Sequence, residues 1–221
     1  MLELVQTSSM LIGSYEAAKE LSQKDKADLL VISDSHGGFH NLLSVVEHFG
    51  PQCDGLVFCG DGMEDIGRLL DRAASTPELM DALPPVLACV KGNNDVETYF
   101  FQSMAVQVPR DLVFEAARHR IFMTHGHHYK LYTGSSFLWE KAKSCKANIT
   151  FYGHSHIACV AAKRRSVLIL NPGSCSLPRG GQLRCFAIVH LEAKKSAPSW
   201  TFYSLSEEGG DPYDGYAREK I

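Results

Sequence analysis

The sequence has no uninterrupted apolar run near the ~20 residues that a membrane-spanning helix needs. Its first residues lack a cationic segment followed by a long apolar stretch, so no secretory signal is predicted. It also lacks a basic excess, since 22 Lys and Arg face 25 Asp and Glu for a formal charge of −3. Extended binding to a nucleic-acid backbone is therefore not favoured. Because these features are absent, neither a membrane nor a nucleic acid is predicted as a partner.

Cys-x-x-Cys pairs are also missing, although the chain has 7 cysteines. The number is odd, and several of these cysteines lie inside apolar segments with strand character. Such usage is typical of a reducing compartment, where cysteine acts as a small buried apolar residue. The sequence therefore predicts a cytoplasmic protein.

The order of apolar segments predicts an α/β fold. With 221 residues and 45% apolar composition, the chain is long enough for one domain with a sizeable core. Short buried strands are predicted at 29–32, 56–59 and 86–90, with amphipathic helices between them. This alternation favours a largely parallel sheet. The second half predicts antiparallel hairpins and a helix near 135–145, so the whole is expected to be a two-sheet sandwich flanked by helices.

Three segments are predicted along the chain. Residues 1–27 form an N-terminal extension with a short helix at 14–24, for which Ser14 is the candidate N-cap. Residues 28–205 form the main domain, and residues 206–221 form a polar C-terminal tail.

Five short motifs follow predicted strands and carry side chains that bind metal ions. They are Asp34-Ser35-His36, Gly60-Asp61, Gly92-Asn93-Asn94-Asp95, His125-Gly126-His127 and Gly153-His154-Ser155-His156. Neighbouring parallel strands bring their carboxyl ends together, so these side chains are expected at one edge of the fold. Carboxylate, amide and imidazole ligands suit two divalent ions that share one carboxylate, an arrangement that activates water against phosphorus. The motifs predict hydrolysis of phosphate esters.

Each motif alone also has an ordinary structural explanation. Asp61 suits a helix N-cap, and the segment 92–95 has the composition of a turn. A lone histidine is more often a surface or packing residue than a ligand. The functional interpretation depends on the combined order of the motifs, each placed after a strand.

That order, DxH, GD, GN, HGH and GHxH, resembles the calcineurin-like metallophosphoesterase superfamily, and most closely its compact phosphodiesterase branch from bacteria and archaea. Asn171-Pro172-Gly173-Ser174 followed by Pro178-Arg179 also matches that branch. The resemblance spans roughly residues 28–205. It implies a four-layer αββα sandwich of two mixed sheets flanked by helices, with a dimetal site at the strand ends.

The resemblance also implies how the ions are held. One ion would take Asp34, His36, Asp61 and His156, and the other Asp61, Asn93, His125 and His154. Asp61 would then bridge the ions, and a hydroxide between them would attack phosphorus in line. Manganese is the expected metal, although iron, nickel, cobalt or zinc would also fit these ligands. The substrate would be a small phosphate ester or diester, and relatives favour a homodimer.

One departure from the family bears on catalysis. The superfamily's protein phosphatases carry a histidine, thought to protonate the leaving group, where this chain has Asn94. Loss of a general acid typically costs ~10²–10⁴-fold for a poor leaving group. His127 is the nearest substitute by sequence. The prediction is a preference for diesters or activated leaving groups over alkyl monoesters.

Alternatives remain open at this point. The same site would serve a phosphomonoesterase or a DNA-repair nuclease, though the nuclease would need a DNA-binding face that this chain does not show. The superfamily also contains a retromer coat subunit, so a non-catalytic protein-binding scaffold is the alternative from another class. Arg179 would contact a phosphate or brace its loop. Six aromatic residues are candidates to line a pocket: Tyr99, Phe100, Phe101, Tyr129, Tyr132 and Trp139.

Overall fold

The structure is a computed structural model that describes residues 4–101, 104–163, 167–195, 197–206 and 210–219. Its strands are β1 (Ile12–Gly13), β2 (Lys26–Ile32), β3 (Gly55–Phe58), β4 (Val86–Cys89), β5 (Thr98–Phe101), β6 (Met104–Gln107), β7 (Asp111–Ala116), β8 (His119–Thr124), β9 (Ile149–Phe151), β10 (Ala158–Lys163), β11 (Val167–Pro172), β12 (Cys185–Glu192), β13 (Ser199–Ser204), β14 (Asp211–Pro212) and β15 (Ala217–Glu219). Its α-helices are α1 (Tyr15–Gln23), α2 (Phe39–Phe49), α3 (Met63–Ser75), α4 (Pro77–Ala82) and α5 (Ser136–Ser144). None of the helices described is long and apolar enough to cross a membrane.

Two large mixed sheets form the centre of the fold. One has seven strands in the order β1-β4-β3-β2-β12-β13-β14, and the other has six in the order β15-β10-β11-β9-β8-β7. In the first sheet β2, β3 and β4 are parallel, and β12 joins β2 antiparallel. In the second sheet β8, β9 and β11 are parallel, β7 is antiparallel to β8, and β10 is antiparallel to β11 but parallel to β15. A separate hairpin pairs β5 with β6.

The alternation of side chains along β2 shows how the layers pack. Leu29 and Val31 point into the core between the two sheets, which they share with residues of β7, β8 and β9. Leu30 and Ile32 point the other way and pack under α2, α3 and α4. This is the pattern of a strand buried on both faces. The layered order predicted from the sequence is confirmed on this side.

Helix α5 covers the outer face of the second sheet. Its Leu138 and Ala142 pack against Phe122 of β8 and Ile169 of β11. The fold is therefore α/β, with two mixed sheets face to face and helices on both outer faces, as predicted.

The described residues before the first long strand, 4–25, contribute side chains to the core. Ser14 caps α1 by accepting a hydrogen bond from the Ala17 N–H at 3.0 Å, as expected from the sequence. Leu11, Ile12 and Leu21 are buried, the first and last of them in the core between the sheets. The described part of the predicted tail, residues 210–219, adds β14 and β15 to the edges of the two sheets.

The parallel strands fix the position of the predicted motifs. β2, β3 and β4 end just before Asp34, Asp61 and Asn93, and β8 and β9 end just before His125 and His154. Strands that run in one direction deliver their carboxyl ends to one edge, where ligands gather in such sheets.

Candidate metal centre

Side chains from four of the motifs converge in two overlapping clusters. One cluster is Asp34, His36 and His156, and the other is Asp34, Asp61 and His125. In each cluster, the potential ligand atoms lie within 4.8 Å of one another. The His36 and His156 Nε2 atoms are 3.1 Å apart. Among the described residues, neither cluster includes His154.

Asp61 lies between two of the imidazoles. Its Oδ2 is 3.6 Å from His36 Nε2 and 3.4 Å from His125 Nε2. Asp34 Oδ1 takes a similar position, at 3.8 Å from His36 Nε2 and 4.0 Å from His125 Nε2. Both carboxylates are therefore close to both ends of the site.

Buried atoms without partners show that this donor set fits a metal ion. Asp34 Oδ2 accepts hydrogen bonds from the Ser33 hydroxyl and the His154 N–H, at 2.6 and 3.1 Å. Asp34 Oδ1 and His125 Nε2 are buried and make no hydrogen bond with any described residue. His156 Nε2 lies 3.3 Å from Asp34 Oδ1, without hydrogen-bond geometry. Such atoms are costly to bury alone, and a bound cation would satisfy both.

Backbone contacts orient two of the imidazoles. His125 Nδ1 is 2.7 Å from the Cys59 carbonyl oxygen, and His156 Nδ1 is 2.6 Å from that of Leu177. A carbonyl only accepts, so Nδ1 carries the proton in both rings, and the Nε2 lone pair is free to bind a cation.

Five of the predicted ligands have a left-handed backbone. They are Asp34 (φ 55°), His36 (43°), Asp61 (55°), His154 (66°) and His156 (58°). Non-glycine residues rarely adopt this conformation, and such strain is concentrated at functional sites. Five of the ten described non-glycine residues with this backbone are thus predicted ligands, and surrounding hydrogen bonds hold the chain in this shape.

Asp95 provides many of those hydrogen bonds. Its Oδ2 accepts from the N–H groups of Asp61 and Gly92 at 2.7 and 2.9 Å. Its Oδ1 accepts from the N–H groups of Gly62 and Met63, both at 3.0 Å. The carboxylate thus fixes the turn that presents Asp61, and Asp95 itself belongs to neither ligand cluster.

The two asparagines of the same loop differ in their contacts. Asn94 donates its backbone N–H to Asp61 Oδ1 at 2.8 Å and its side-chain N–H to Asp61 Oδ2 at 2.6 Å. Asn93 is exposed, and its side chain makes no hydrogen bond within the described part of the chain. Asn94 is therefore the asparagine that contacts the central carboxylate, and Asn93 as a ligand stays a prediction.

Asp65 is a functional residue that the sequence interpretation missed. It is buried, and its Oδ2 accepts from the Ser35 hydroxyl at 2.6 Å and the Gly37 N–H at 2.9 Å. These contacts hold the turn that carries His36. A signal was present, because Asp65 precedes buried Leu69 by four residues and so lies on the buried face of α3.

The end of β11 and the residues that follow it close the site from the other side. Asn171 donates through Nδ2 to the Gly153 carbonyl at 2.8 Å, beside the histidine motif. The Ser174 hydroxyl donates to the Asp34 carbonyl at 2.7 Å and accepts from the Leu177 N–H at 2.8 Å. This segment, which also matched the family, therefore braces the ligand loops.

The carboxylates and imidazoles shift one another's protonation. Burial opposes ionisation of Asp34, but the imidazoles of His156 and His36 outweigh it and hold the pKa of that carboxyl below its usual range. Burial likewise opposes ionisation of Asp61, and His125 and Asn94 still lower its pKa strongly. Both carboxylates are thus charged at neutral pH, the state that a cation requires.

The remaining motif histidines lie beside the clusters. The His154 ring is centred 5.1 Å from that of His125, and the His127 ring 5.4 Å from it. Burial and then the imidazoles of His128 and His125 lower the pKa of His127 to about 4.

A cavity of about 450 Å³ opens next to these histidines. His127 and His154 line it, and Lys130, Tyr132 and Arg179 are among the other lining residues. Of the six aromatic candidates only Tyr132 lines it. Others pack elsewhere: Tyr99 and Phe101 lie against α3, and Trp139, which is part of α5, packs with the cluster beneath that helix, so the idea that these three line the pocket is wrong.

Comparison with known proteins agrees with the site. Residues 28–194 match the model of the calcineurin-like phosphoesterase superfamily domain. The chain is 30% identical to the probable metallophosphoesterase YsnB of Bacillus subtilis over 165 residues, covering 75% of this chain and 85% of that protein. It is 29% identical to phosphodiesterase YfcE of Escherichia coli K12 over 170 residues, covering 73% and 86%.

Solved structures share the fold. A conserved uncharacterized protein from Streptococcus pneumoniae, called a predicted phosphoesterase, has a TM-score of 0.63 and 25% identity, over 87% of this chain and 96% of that one. Vacuolar Protein Sorting 29 from Cryptosporidium parvum has a TM-score of 0.61 and 15% identity, over 86% and 97%. The second likeness concerns the fold alone. The resemblance predicted from the five motifs is confirmed.

Proposed function

Because the chain belongs to the calcineurin-like phosphoesterase superfamily, we propose that it hydrolyses phosphodiesters with two divalent metal ions. The observation that carries this proposal is the pair of overlapping Asp and His clusters at the strand ends, with buried ligand atoms that lack partners. The similarity to YfcE, which is named a phosphodiesterase, supports the choice of ester.

The proposed ligands are those of the family pattern. One ion takes Asp34, His36, Asp61 and His156, and the other takes Asp61, Asn93, His125 and His154. The position of Asp61 Oδ2 between the His36 and His125 Nε2 atoms supports a bridging role for Asp61. Asn93 and His154 would complete the coordination of the second ion by turning their side chains toward it. Manganese is the proposed metal, since mixed oxygen and imidazole ligands accommodate it.

The residues of the chain divide the work of the reaction. When bound, the ions would supply an activated water and neutralise charge on the phosphoryl oxygens. Asp95 and Asp65 hold the turns that present Asp61 and His36, so the ligands need little rearrangement. Asn94 donates its backbone N–H and a side-chain N–H to Asp61 and offers no titrating proton to a leaving group. The site therefore suits esters whose leaving oxygen needs little protonation.

The scaffold alternative predicts a decayed site. A protein that used this fold only for contacts would gain nothing from strained ligand residues and buried orphan atoms. Their retention supports metal binding. Cytoplasmic location and a homodimer remain predictions of the sequence alone.

The test is a pair of initial rates on bis(p-nitrophenyl) phosphate and p-nitrophenyl phosphate. Metal-stripped protein is assayed with and without added Mn²⁺, beside Asp61→Asn and the distant exposed control Asp71→Asn. We expect Mn²⁺-dependent turnover that favours the diester, abolished in Asp61→Asn and retained in Asp71→Asn. A preference for the monoester would refute the diester assignment. No turnover with Mn²⁺, iron, nickel, cobalt or zinc would favour the scaffold.

A further inference from the structure

The cavity beside the metal centre is suited to part of a substrate. Its volume of about 450 Å³ lies within the range of small-molecule sites, roughly 300–1,000 Å³. His154 lines it, and the ring of His154 is centred 5.1 Å from that of the cluster residue His125, so a phosphate held at the ligand clusters would extend one ester group into the cavity. Tyr132, Tyr152 and Ile157 supply apolar surface along the way.

The charge of the cavity is one-sided. Lys130 and Arg179 line it, and no aspartate or glutamate does so among the lining residues that the structure describes. The carboxylates of the two ligand clusters lie next to imidazoles, and bound ions would add further positive charge beside the cavity. A wall of this kind attracts a negative group and repels a positive one.

Arg179 is held in place by its backbone and has its side chain available. Its N–H donates to the His156 carbonyl at 3.0 Å, and His156 Nδ1 is 2.6 Å from the Leu177 carbonyl oxygen. The guanidinium makes no hydrogen bond or ion pair with any described residue. The bracing role considered for Arg179 is therefore carried by its backbone, which leaves five N–H donors free for a ligand.

We propose that this cavity, called here the basic pocket, receives the second ester group of a phosphodiester and selects groups that carry a negative charge of their own. Arg179 is its specificity-determining residue, since a guanidinium matches a carboxylate or phosphate with two parallel hydrogen bonds. The proposal rests on the proposed phosphodiesterase function and adds the substrate class: diesters in which one alcohol bears a further anionic group.

The test uses three diesters with one leaving group. They are p-nitrophenyl ethyl phosphate, p-nitrophenyl phosphorylcholine and p-nitrophenyl carboxyethyl phosphate, in which the second group is neutral, cationic and anionic. For the Mn²⁺-loaded protein we expect kcat/KM to be about threefold to fivefold higher for the anionic than for the neutral ester, a size typical of a partly exposed ion pair. The cationic ester should be the poorest, and added salt should narrow the differences.

Two substitutions at Arg179 and one distant control identify the source of the preference. Arg179→Gln should bring the anionic-to-neutral ratio close to one, and Arg179→Lys should keep part of it. Arg118→Gln makes the same chemical change just before β8, at the end of that strand opposite the metal centre, where Arg118 forms a surface ion pair with Asp25. It should leave the anionic-to-neutral ratio as in the wild type. Far-ultraviolet circular dichroism of each variant checks that it is folded.

Several results would overturn the basic pocket. One is an equal kcat/KM for the anionic and neutral esters in the wild type. Another is an equal loss of kcat/KM on all three esters in Arg179→Gln, because Arg179 would then contact the attacked phosphate rather than the second ester group. Calorimetric titration with ethylphosphonate and carboxyethylphosphonate measures the same preference without turnover. Tighter binding of the carboxyethyl compound that depends on Arg179 would support the pocket even if no ester were hydrolysed, an outcome that would refute only the phosphodiesterase function. Equal binding of the two phosphonates would refute the pocket.

Discussion

Replacing Asp95 by asparagine should weaken metal binding without removing a ligand. The carboxylate accepts four backbone N–H groups, two on each oxygen, from Asp61, Gly62, Met63 and Gly92. An asparagine keeps one accepting oxygen and turns an NH₂ group toward the other two donors. Each hydrogen bond to a charged group contributes about 1.5–3 kcal/mol. Two are lost outright in a half-buried, non-additive network, so we expect the free energy of unfolding to fall by about 2–4 kcal/mol.

The effect on the metal centre follows from the same contacts. Because Asp95 holds the Asp61 backbone at φ 55°, its loss lets that turn relax away from the ligand geometry. Changes to residues that orient metal ligands typically weaken metal affinity about 10–100-fold. Urea unfolding of the metal-free protein and calorimetric Mn²⁺ titration measure the two effects separately.

The matched control is Asp71→Asn, which removes one carboxylate from an exposed position on α3. It should change the free energy of unfolding by no more than about 0.5 kcal/mol and leave Mn²⁺ affinity unaltered. The reasoning is refuted if Asp95→Asn behaves like this control in both measurements. A loss of stability with wild-type Mn²⁺ affinity would show that Asp95 supports the fold but does not position the ligands.

Three further predictions concern single substitutions and thiol chemistry. In Gly92→Ala the new Cβ would overlap Asp61 Oδ1, so calorimetry should show weaker Mn²⁺ binding. Gly67→Ala is the control: its Cβ has open space in α3, and the free energy of unfolding should rise by about 1 kcal/mol. Asn94→His places an imidazole where the protein phosphatases have one, so the ratio of p-nitrophenyl phosphate to bis(p-nitrophenyl) phosphate rates should rise; an unchanged or lower ratio would contradict the acid argument. Cys145 is the one cysteine of the seven that is not buried, so Ellman's reagent should modify about one thiol in the native protein and all seven in urea; rapid modification of several native thiols would contradict the packing.

Much of the fold could be predicted because local pattern and burial agree. The apolar runs of β2, β3 and β4 are short and bounded by polar residues, and the helices between them have a clear apolar face. β5 was missed because its sequence, Thr-Tyr-Phe-Phe, is only four residues long and was interpreted as pocket lining. β14 and β15 are polar and short, and their pairing with distant strands leaves no local signal.

The site could be found from the order of its motifs, but its geometry could not. Side-chain type and position after a strand predict that Asp34, Asp61 and His125 lie close together, and the structure brings them together. The left-handed backbone of Asp34 or His156 has no sequence signature, because neither residue is glycine. It is imposed by distant contacts such as that of Ser174 with the Asp34 carbonyl, 140 residues away along the chain.

The most direct test of the central claim is a stoichiometric titration. Metal-stripped protein receives Mn²⁺ in steps while bound metal is counted and hydrolysis of bis(p-nitrophenyl) phosphate is followed in the same samples. The account predicts that binding saturates at two ions per chain and that most activity appears with the second ion. Saturation at one ion with full activity, or binding of two ions with no hydrolysis, would contradict it.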